Sequence, residues 1–483
     1  MANVQYSGVR ESRPGRVNDL GTTGKEVEEN YKKGCLKRAD RSFAQGLQCQ
    51  QINSMAALMS LEDSVFVSHS PQGCVGCTIM AVDMYRVGQA HRGIKYIKNP
   101  RIIVTNIDQK SVVFGGEQKL RDSVKKAVER YSPKVIFIYA SCASGIIGDD
   151  IDAIAMDLQD EYPDTIMVPI HCEGFKSKIC ASGFDAAFLS INKYILKKEI
   201  VPKEENLVNL FAPTTVSYAD QREMERMLHL IGVNVNYIPF YSSLEKIKKI
   251  PAAVASTSIC KVFADEFMKT LWEDYEIPYS HTVMPIGIRN TDKWYRGIAK
   301  VLGKEAEVEE IIAAEHKRIE PLVAALKERL QGKRVFICGG TGRSFAAAAL
   351  IDDFGMELVG LETPTYDADA QVDIEYLNGI HKDFVVDIAN MQPFEQVNLV
   401  NKLKPDAFIG VPDWAAKLGI PTTHVLDGKR PTMGYDGLLY LGNKIADQLQ
   451  NPGFNVKLSQ HVKLPYKDSW YQENAFKYIK GGV

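Results

Sequence analysis

Nine cysteines are spread along a chain of 483 residues, and several stand where a thiol can do chemistry. Cys142 follows the apolar run KVIFIYAS and opens the turn CASGIIGDD; Cys260 follows AVASTSI and is expected to start the next helix. A thiol at a helix N-terminus feels the positive end of the dipole, which favours the thiolate. The same position also suits a small buried residue at a tight turn. Cys74 lies in SHSPQGCVGC, a Pro- and Gly-rich loop after SVFV. Glycines there let the backbone approach a bulky inorganic group and turn amides toward its sulfides. The C-x-x-C pairing of Cys74 with Cys77 admits zinc or a redox disulfide, but a zinc ribbon needs a second knuckle that the sequence lacks. Cys49, in FAQGLQCQQ, is a third loop thiol. Three thiolates hold part of an iron–sulfur cluster, which usually takes four or more protein ligands, so another subunit would have to complete such a site. His424, in GIPTTHVLDGKRPTMGYDG, follows a short strand-like run. A lone histidine is more often structural, although GYDG beyond it suggests a close backbone approach. The turn Cys338–Ser344 (CGGTGRS) resembles half a dinucleotide loop, but Phe345 spoils the third glycine position. That argues against NAD and leaves an anion held by backbone amides and Arg343. No G-x-x-x-x-G-K-[ST] motif occurs, so this chain is not expected to hydrolyse ATP itself.

These residues need elements to position them, and the sequence supplies a repeating theme. Short β-branched runs alternate with amphipathic stretches: Arg101–Ile107, Lys134–Ala140 and Thr165–Ile170, then Leu207–Phe211, Val233–Pro239 and Ala252–Ser256. A third set opens with Arg334–Cys338 and continues through MELVGLE, DFVVDI, AFIGV and THVLD, with a charged helical stretch, Gly303–Gln331, before it. Strand, helix, strand in this order implies parallel sheets with right-handed crossovers. The predicted architecture is α/β, with three Rossmann-like doubly wound domains. Its divisions are an N-terminal arm over 1–40 that packs on a partner, then domains over 41–202, 203–330 and 331–483. In such sheets ligands gather beyond the carboxyl ends of the strands, where most of the singled-out residues fall. Hydrophobic residues make up 45% and charged ones 24%, and 58 Lys and Arg balance 60 Asp and Glu. No sign of charge dominates, so nucleic acid and an anionic membrane are not expected as partners. No apolar run approaches the roughly 20 residues of a membrane span, and the start lacks a signal core, so a cytoplasmic location is expected.

SHSPQGC, VVFGGEQKLRDSV, CASGIIGDDIDAI, HCEGF, CKVFADEFMKTLWEDYEIPY, RVFICGGTGRS and HVLDGKRPTMGYDG together resemble nitrogenase component 1 and its relatives. The similarity runs in order over nearly the whole chain from about residue 40, and HCEGF with the cysteine of the second domain points to the α-type subunit. The resemblance implies that Cys49, Cys74 and Cys142 are the α-side ligands of an 8Fe–7S P-cluster shared with a homologous β-type subunit in an α2β2 assembly. It implies that Cys260 and His424 hold the two ends of a large 8Fe–9S–C-type active-site cluster, with Gly340, Gly342 and Arg343 around it. An ATP-dependent iron–sulfur reductase protein is the implied electron donor.

The departures from the nitrogenase pattern are informative. Where nitrogenases place a Gln and a His over the cofactor, this chain has Cys180 and Phe184; Val82 replaces an Arg, and Gly410 replaces the Lys that anchors homocitrate. A proton-donating imidazole is gone and an apolar ring stands in its place. The implied pocket is less polar, without homocitrate or molybdenum, and lined by Cys180 and Phe184, the cysteine either donating protons or packing. The expected activity is that of the nitrogenase-like methylthio-alkane reductases. These cleave C–S bonds in small organosulfur compounds such as dimethyl sulfide and 2-(methylthio)ethanol, releasing methanethiol and a hydrocarbon. A scaffold for nitrogenase cofactor maturation and an alternative nitrogenase α subunit are the competing readings.

Overall fold

The computed structural model describes residues 10–36, 39–43, 49–179, 181–281, 283–390, 392–410 and 413–480. The chain opens with two short strands, β1 (Leu20–Thr23) and β2 (Asp40–Arg41), whose partners come much later. It then builds three parallel sheets. The first holds β3 (Ser64–His69), β4 (Ile102–Val104), β5 (Val135–Ala140) and β6 (Ile166–Ile170) in the order β4-β3-β5-β6. The second holds β7 (Leu207–Ala212), β8 (Asn234–Pro239), β9 (Ala255–Ser258) and β10 (Tyr279–Ser280), ordered β10-β9-β7-β8. The third holds β11 (Arg334–Cys338), β12 (Glu357–Thr363), β13 (Val385–Ile388), β14 (Ala407–Gly410) and β15 (Thr422–Thr423). Its order is β1-β13-β12-β11-β14-β15, with β1 antiparallel at the edge. A last strand, β16 (Ile479–Lys480), pairs with β2. This is the doubly wound α/β class expected from the alternating pattern.

Two compact units divide the chain. One comprises Gln48–Thr282 and Lys300–Gly303 with the segment up to Glu11, and so carries the first two sheets. Its central strands β3 and β5 are buried along their whole length, as parallel strands covered on both faces must be. Val65, Val67, Ile136 and Ile138 meet the helices Glu117–Tyr131 and Ile151–Glu161. The first of these helices turns Leu120, Val124 and Ala127 inward at the spacing of one helical face.

The other unit comprises Ser12–Leu47, Val283–Ala299 and Lys304–Val483. Here the N-terminal stretch read as an arm is woven into the fold from Ser12 onward. β1 pairs with β13 through Leu20↔Ile388 to Thr23↔Val385. Arg41 of β2 is buried and bonds Asp19, Asp387 and Glu395. The helix expected over Gly303–Gln331 runs Glu305–Leu330. The strand expected over Ala252–Ser256 starts later, at Ala255, because Ile250–Ala252 forms a 3-10 turn around Pro251. No helix among the described residues is long and apolar enough to cross a membrane.

Candidate functional site

The three loop thiols of the first unit stand at the carboxyl ends of β3 and β5 or at the start of a helix packed near them. Cys142 is the first residue of the helix Cys142–Ile147, directly after β5. A reciprocal capping pair holds it there: Ser141 Oγ accepts from Ser144 N at 3.2 Å, and Ser144 Oγ accepts from Ser141 N at 2.8 Å. Ser141 Oγ also meets the His69 carbonyl at 2.7 Å, joining the ends of β5 and β3. His69 in turn bridges Thr105 and Asp149, at 3.0 and 2.9 Å, and Asp149 receives the Gly116 amide. The GG pair of VVFGGEQ is thereby tied to the same end of the sheet. Cys74 sits in the helix Gln72–Gly76 after β3. Cys49 takes the extended position before the helix Gln50–Leu58, and Gln50 Nε2 donates to the Glu173 carbonyl at 3.1 Å.

Glu173 belongs to HCEGF, and the next residue shows that these thiols converge. A Cβ placed on Gly174 would lie 3.1 Å from Cys49 Sγ and 3.3 Å from Cys142 Sγ. Glycine lets the backbone come this close to both sulfurs; a Cβ would make them give by a few tenths of an ångström. Burial pushes the Cys49 thiol up, and Cys142 and Cys77 add to the rise. Cys74 is pushed up by burial first, then by Cys49, Cys142 and Cys77. Bare thiols crowded in this way resist ionisation, whereas a cationic metal framework would favour their thiolates. The arrangement therefore fits a polynuclear cluster: soft donors on separate elements, backbone brought close by glycine, and Gly73 and Gly76 open beside Cys74 with nothing within 4 Å. Among the described residues no three His, Cys, Asp or Glu side chains are placed to hold a single metal ion. Ile79, Ile146 and Phe175, close in sequence to Cys77, Cys142 and Gly174, are exposed, as are Val113 and Phe114 on the helix Gln109–Phe114.

Cys260 is buried beyond the carboxyl end of β9, but it does not begin a helix as expected. The helix starts at Asp265, and Cys260 lies in a turn. Ser258 Oγ accepts from the Cys260 amide at 3.2 Å and donates to its carbonyl at 2.9 Å, while Phe263 N also donates to that carbonyl. The serine closes the turn before a helix can start, so the dipole argument does not apply to this thiol. Phe263 then forms an aromatic wall. Half-buried Phe184, on the helix Ser182–Ile191, meets it edge-on at 4.8 Å, and Phe188 also meets it edge-on at 5.2 Å. Cys180 lies outside the described residues. Val82 packs with Ala56, Met59 and Ala81.

In the second unit His424 follows the two-residue β15, shorter than the run THVLD suggested. Arg343 is buried on the helix Thr341–Asp353, and its Nη1 donates to the Val425 carbonyl at 2.5 Å. Its guanidinium thus braces the backbone beside His424. Gly340 caps that helix and faces open space, while Gly342, two residues on, is buried. Asp427 accepts from the Lys429 and Arg430 amides and from Tyr440 Oη at 2.5 Å, fixing the loop that follows. Gly410 has φ +145°, and a Cβ there would lie 1.7 Å from the Cys338 carbonyl across the β14–β11 pair. No side chain, lysine included, fits this strand end without opening the sheet.

Sequence reasoning missed Gly174, the serine pair that holds Cys142, and a buried guanidinium–carboxylate cluster at Arg10. HCEGF and SCAS carried local signals for the first two. Nothing local marks the third.

The fold is that of known nitrogenase proteins. A structure titled "Nitrogenase Cp1 at pH 5" superposes with a TM-score of 0.72 at 21% identity, covering 92% of this chain and 98% of that one. The family model "Nitrogenase component 1 type Oxidoreductase" matches residues 49–450, and the chain belongs to that family. Its relatives include the nitrogenase iron-molybdenum cofactor biosynthesis protein NifE of Rippkaea orientalis, 26% identical over 95% of this chain and 97% of that protein. Another is the nitrogenase molybdenum-iron protein alpha chain of Methanothermobacter marburgensis, 26% identical over 82% and 85%.

Proposed function

We propose that this chain is the α-type catalytic subunit of a nitrogenase-like reductase that cleaves C–S bonds in methylthio-alkanes. The observation that carries this reading is the aromatic wall beside Cys260, where Phe184 packs on Phe263 and no imidazole or cation stands at position 184. For dimethyl sulfide the balance is two electrons and two protons in, methanethiol and methane out. For 2-(methylthio)ethanol the same input gives methanethiol, ethylene and water. Cys260 and His424 would hold the active-site cluster, and Cys49, Cys74 and Cys142 the P-cluster completed by a β-type partner. When bound, these groups supply low-potential electrons and a soft iron surface suited to a thioether sulfur. The protein's part is to orient and exclude: Phe184 and Phe263 give an apolar seat for methyl groups and keep water from it. Ser258 fixes the direction of the Cys260 turn. Arg343 steadies the backbone at His424, and Gly340 leaves room for an anionic group. Cys180 is either the proton donor or a packing residue. Exposed Val113, Phe114, Ile146 and Phe175 suit burial by the β-type partner and by an ATP-dependent iron–sulfur donor.

A second reading, a scaffold for nitrogenase cofactor maturation, is favoured by the NifE relatives that span nearly the whole chain. Retention of His424 speaks for the catalytic reading, because a cluster held at both ends suits turnover and a loosely held one suits transfer. Metal analysis of the purified complex separates the two. The catalytic reading expects iron at the level of both clusters without molybdenum or vanadium, and loss of the active-site share in His424→Ala. Full iron in that variant, or ready transfer of the cluster to an apo-acceptor, would turn the assignment toward the scaffold.

A further inference from the structure

A cluster of deeply buried charges in the first unit lies next to the aromatic wall, and its cation comes from the start of the chain. Arg10 is 2% exposed. Its Nε and Nη2 grip both oxygens of Asp185, at 2.6 and 2.8 Å, and Nη2 also reaches Asp265 Oδ1 at 2.6 Å. Asp185 follows Phe184 on the helix Ser182–Ile191. Asp265 is the first residue of the helix that leaves the Cys260 turn. One guanidinium therefore ties together the two elements that carry the wall and the thiol. Glu11 extends the grip: its Oε1 accepts from Ser177 Oγ at 2.7 Å and from Lys178 N at 3.0 Å. Ser177 Oγ lies 3.0 Å from Ser182 Oγ at the start of the Phe184 helix.

We propose that Arg10 and Glu11 are positioning residues, a latch from the N-terminal segment that sets the Phe184 helix against the Cys260 turn. Burying one cation with two carboxylates gains little stability over apolar packing of the same volume. What it provides is direction, since a planar fork can satisfy two carboxylates only in one relative placement. Lysine, a point charge, cannot reproduce that placement. The inference rests on this geometry and holds whichever substrate the reductase takes.

The test uses the full chain in complex with its partner subunit. Arg10→Lys keeps the charge and loses the fork. A triple variant, Arg10→Met with Asp185→Asn and Asp265→Asn, removes the charges without stranding a carboxylate. Two readouts need no turnover: deuterium exchange along the chain, and the alkylation rate of Cys260 in metal-free protein. Both variants are expected to keep wild-type circular dichroism. Exchange should rise roughly tenfold in the helix Ser182–Ile191 and in the Cys260 turn, with Cys260 alkylation rising in step, as loss of a charged hydrogen-bond pair implies. Wild-type exchange and alkylation in the folded triple variant would overturn the proposal. So would a loosening in Arg10→Lys spread evenly over the whole unit, which marks general stability rather than positioning. Failure of the thioether reading would show as absent turnover with these two readouts unaffected.

Discussion

A single methyl group at position 174 would stand against two sulfurs at once, 3.1 Å from Cys49 and 3.3 Å from Cys142. Gly174 does not occupy the left-handed region, so its backbone can accept alanine and the cost falls on the thiols. Gly174→Ala is therefore expected to lower stability only modestly, by about 1 kcal/mol. Iron bound at the shared cluster should fall severalfold, read by metal analysis beside a denaturant unfolding curve. Unchanged iron would show that the glycine is not needed for cluster access. Gly410 differs in kind. Its φ of +145° and the 1.7 Å approach to the Cys338 carbonyl make it a fixed point of the third sheet. A side chain at this position would have to open the β14–β11 pair.

Between elements, ion pairs hold the site's frame, and one of them gives a pH signature. His171, at the end of β6, bonds Asp152 on the helix Ile151–Glu161, and Tyr194 donates to the same carboxylate at 2.5 Å. Hydrogen bonds to Asp152 and Glu173 raise the His171 imidazole to about 9. Its unfolded value is near 6.5. A raised folded value means the contribution is fully present below about pH 6.5 and is lost as pH climbs through about 9. Wild-type protein should therefore melt above His171→Gln at pH 6 and level with it at pH 10; an equal gap at both pH values would contradict the pairing. The elements differ in how far the sequence reveals them. β5 and β11 were legible because buried parallel strands read as apolar β-branched runs. β9 was displaced because the apolar letters of IPAAV precede the buried strand ASTS, whose small polar residues carry no hydrophobic signal. β1 was missed because LGTT becomes a strand only against β13, a partner far along the chain. Arg10 had no local signal at all, since its meaning comes from Asp185 and Asp265.

At the level of the whole molecule, the family is legible from motifs spread along the chain, whereas the reaction depends on a few departures from the family's pattern. Cys49 and Cys142 lie against Gly174, and Phe114, Ile146 and Phe175 are exposed. Cys260, with its aromatic wall, lies in the first unit, and His424, with its braced backbone, lies in the second. The relatives divide between cofactor biosynthesis and nitrogenase itself, so overall similarity does not choose the chemistry. Turnover does. The most direct measurement is headspace analysis of the purified complex incubated with its ATP-dependent iron–sulfur donor, reductant and 2-(methylthio)ethanol. Methanethiol and ethylene should appear in equal amounts, should require ATP, and should vanish in Cys260→Ala. A fully iron-loaded complex that releases neither product, yet passes its cluster to an apo-acceptor, would contradict the catalytic account.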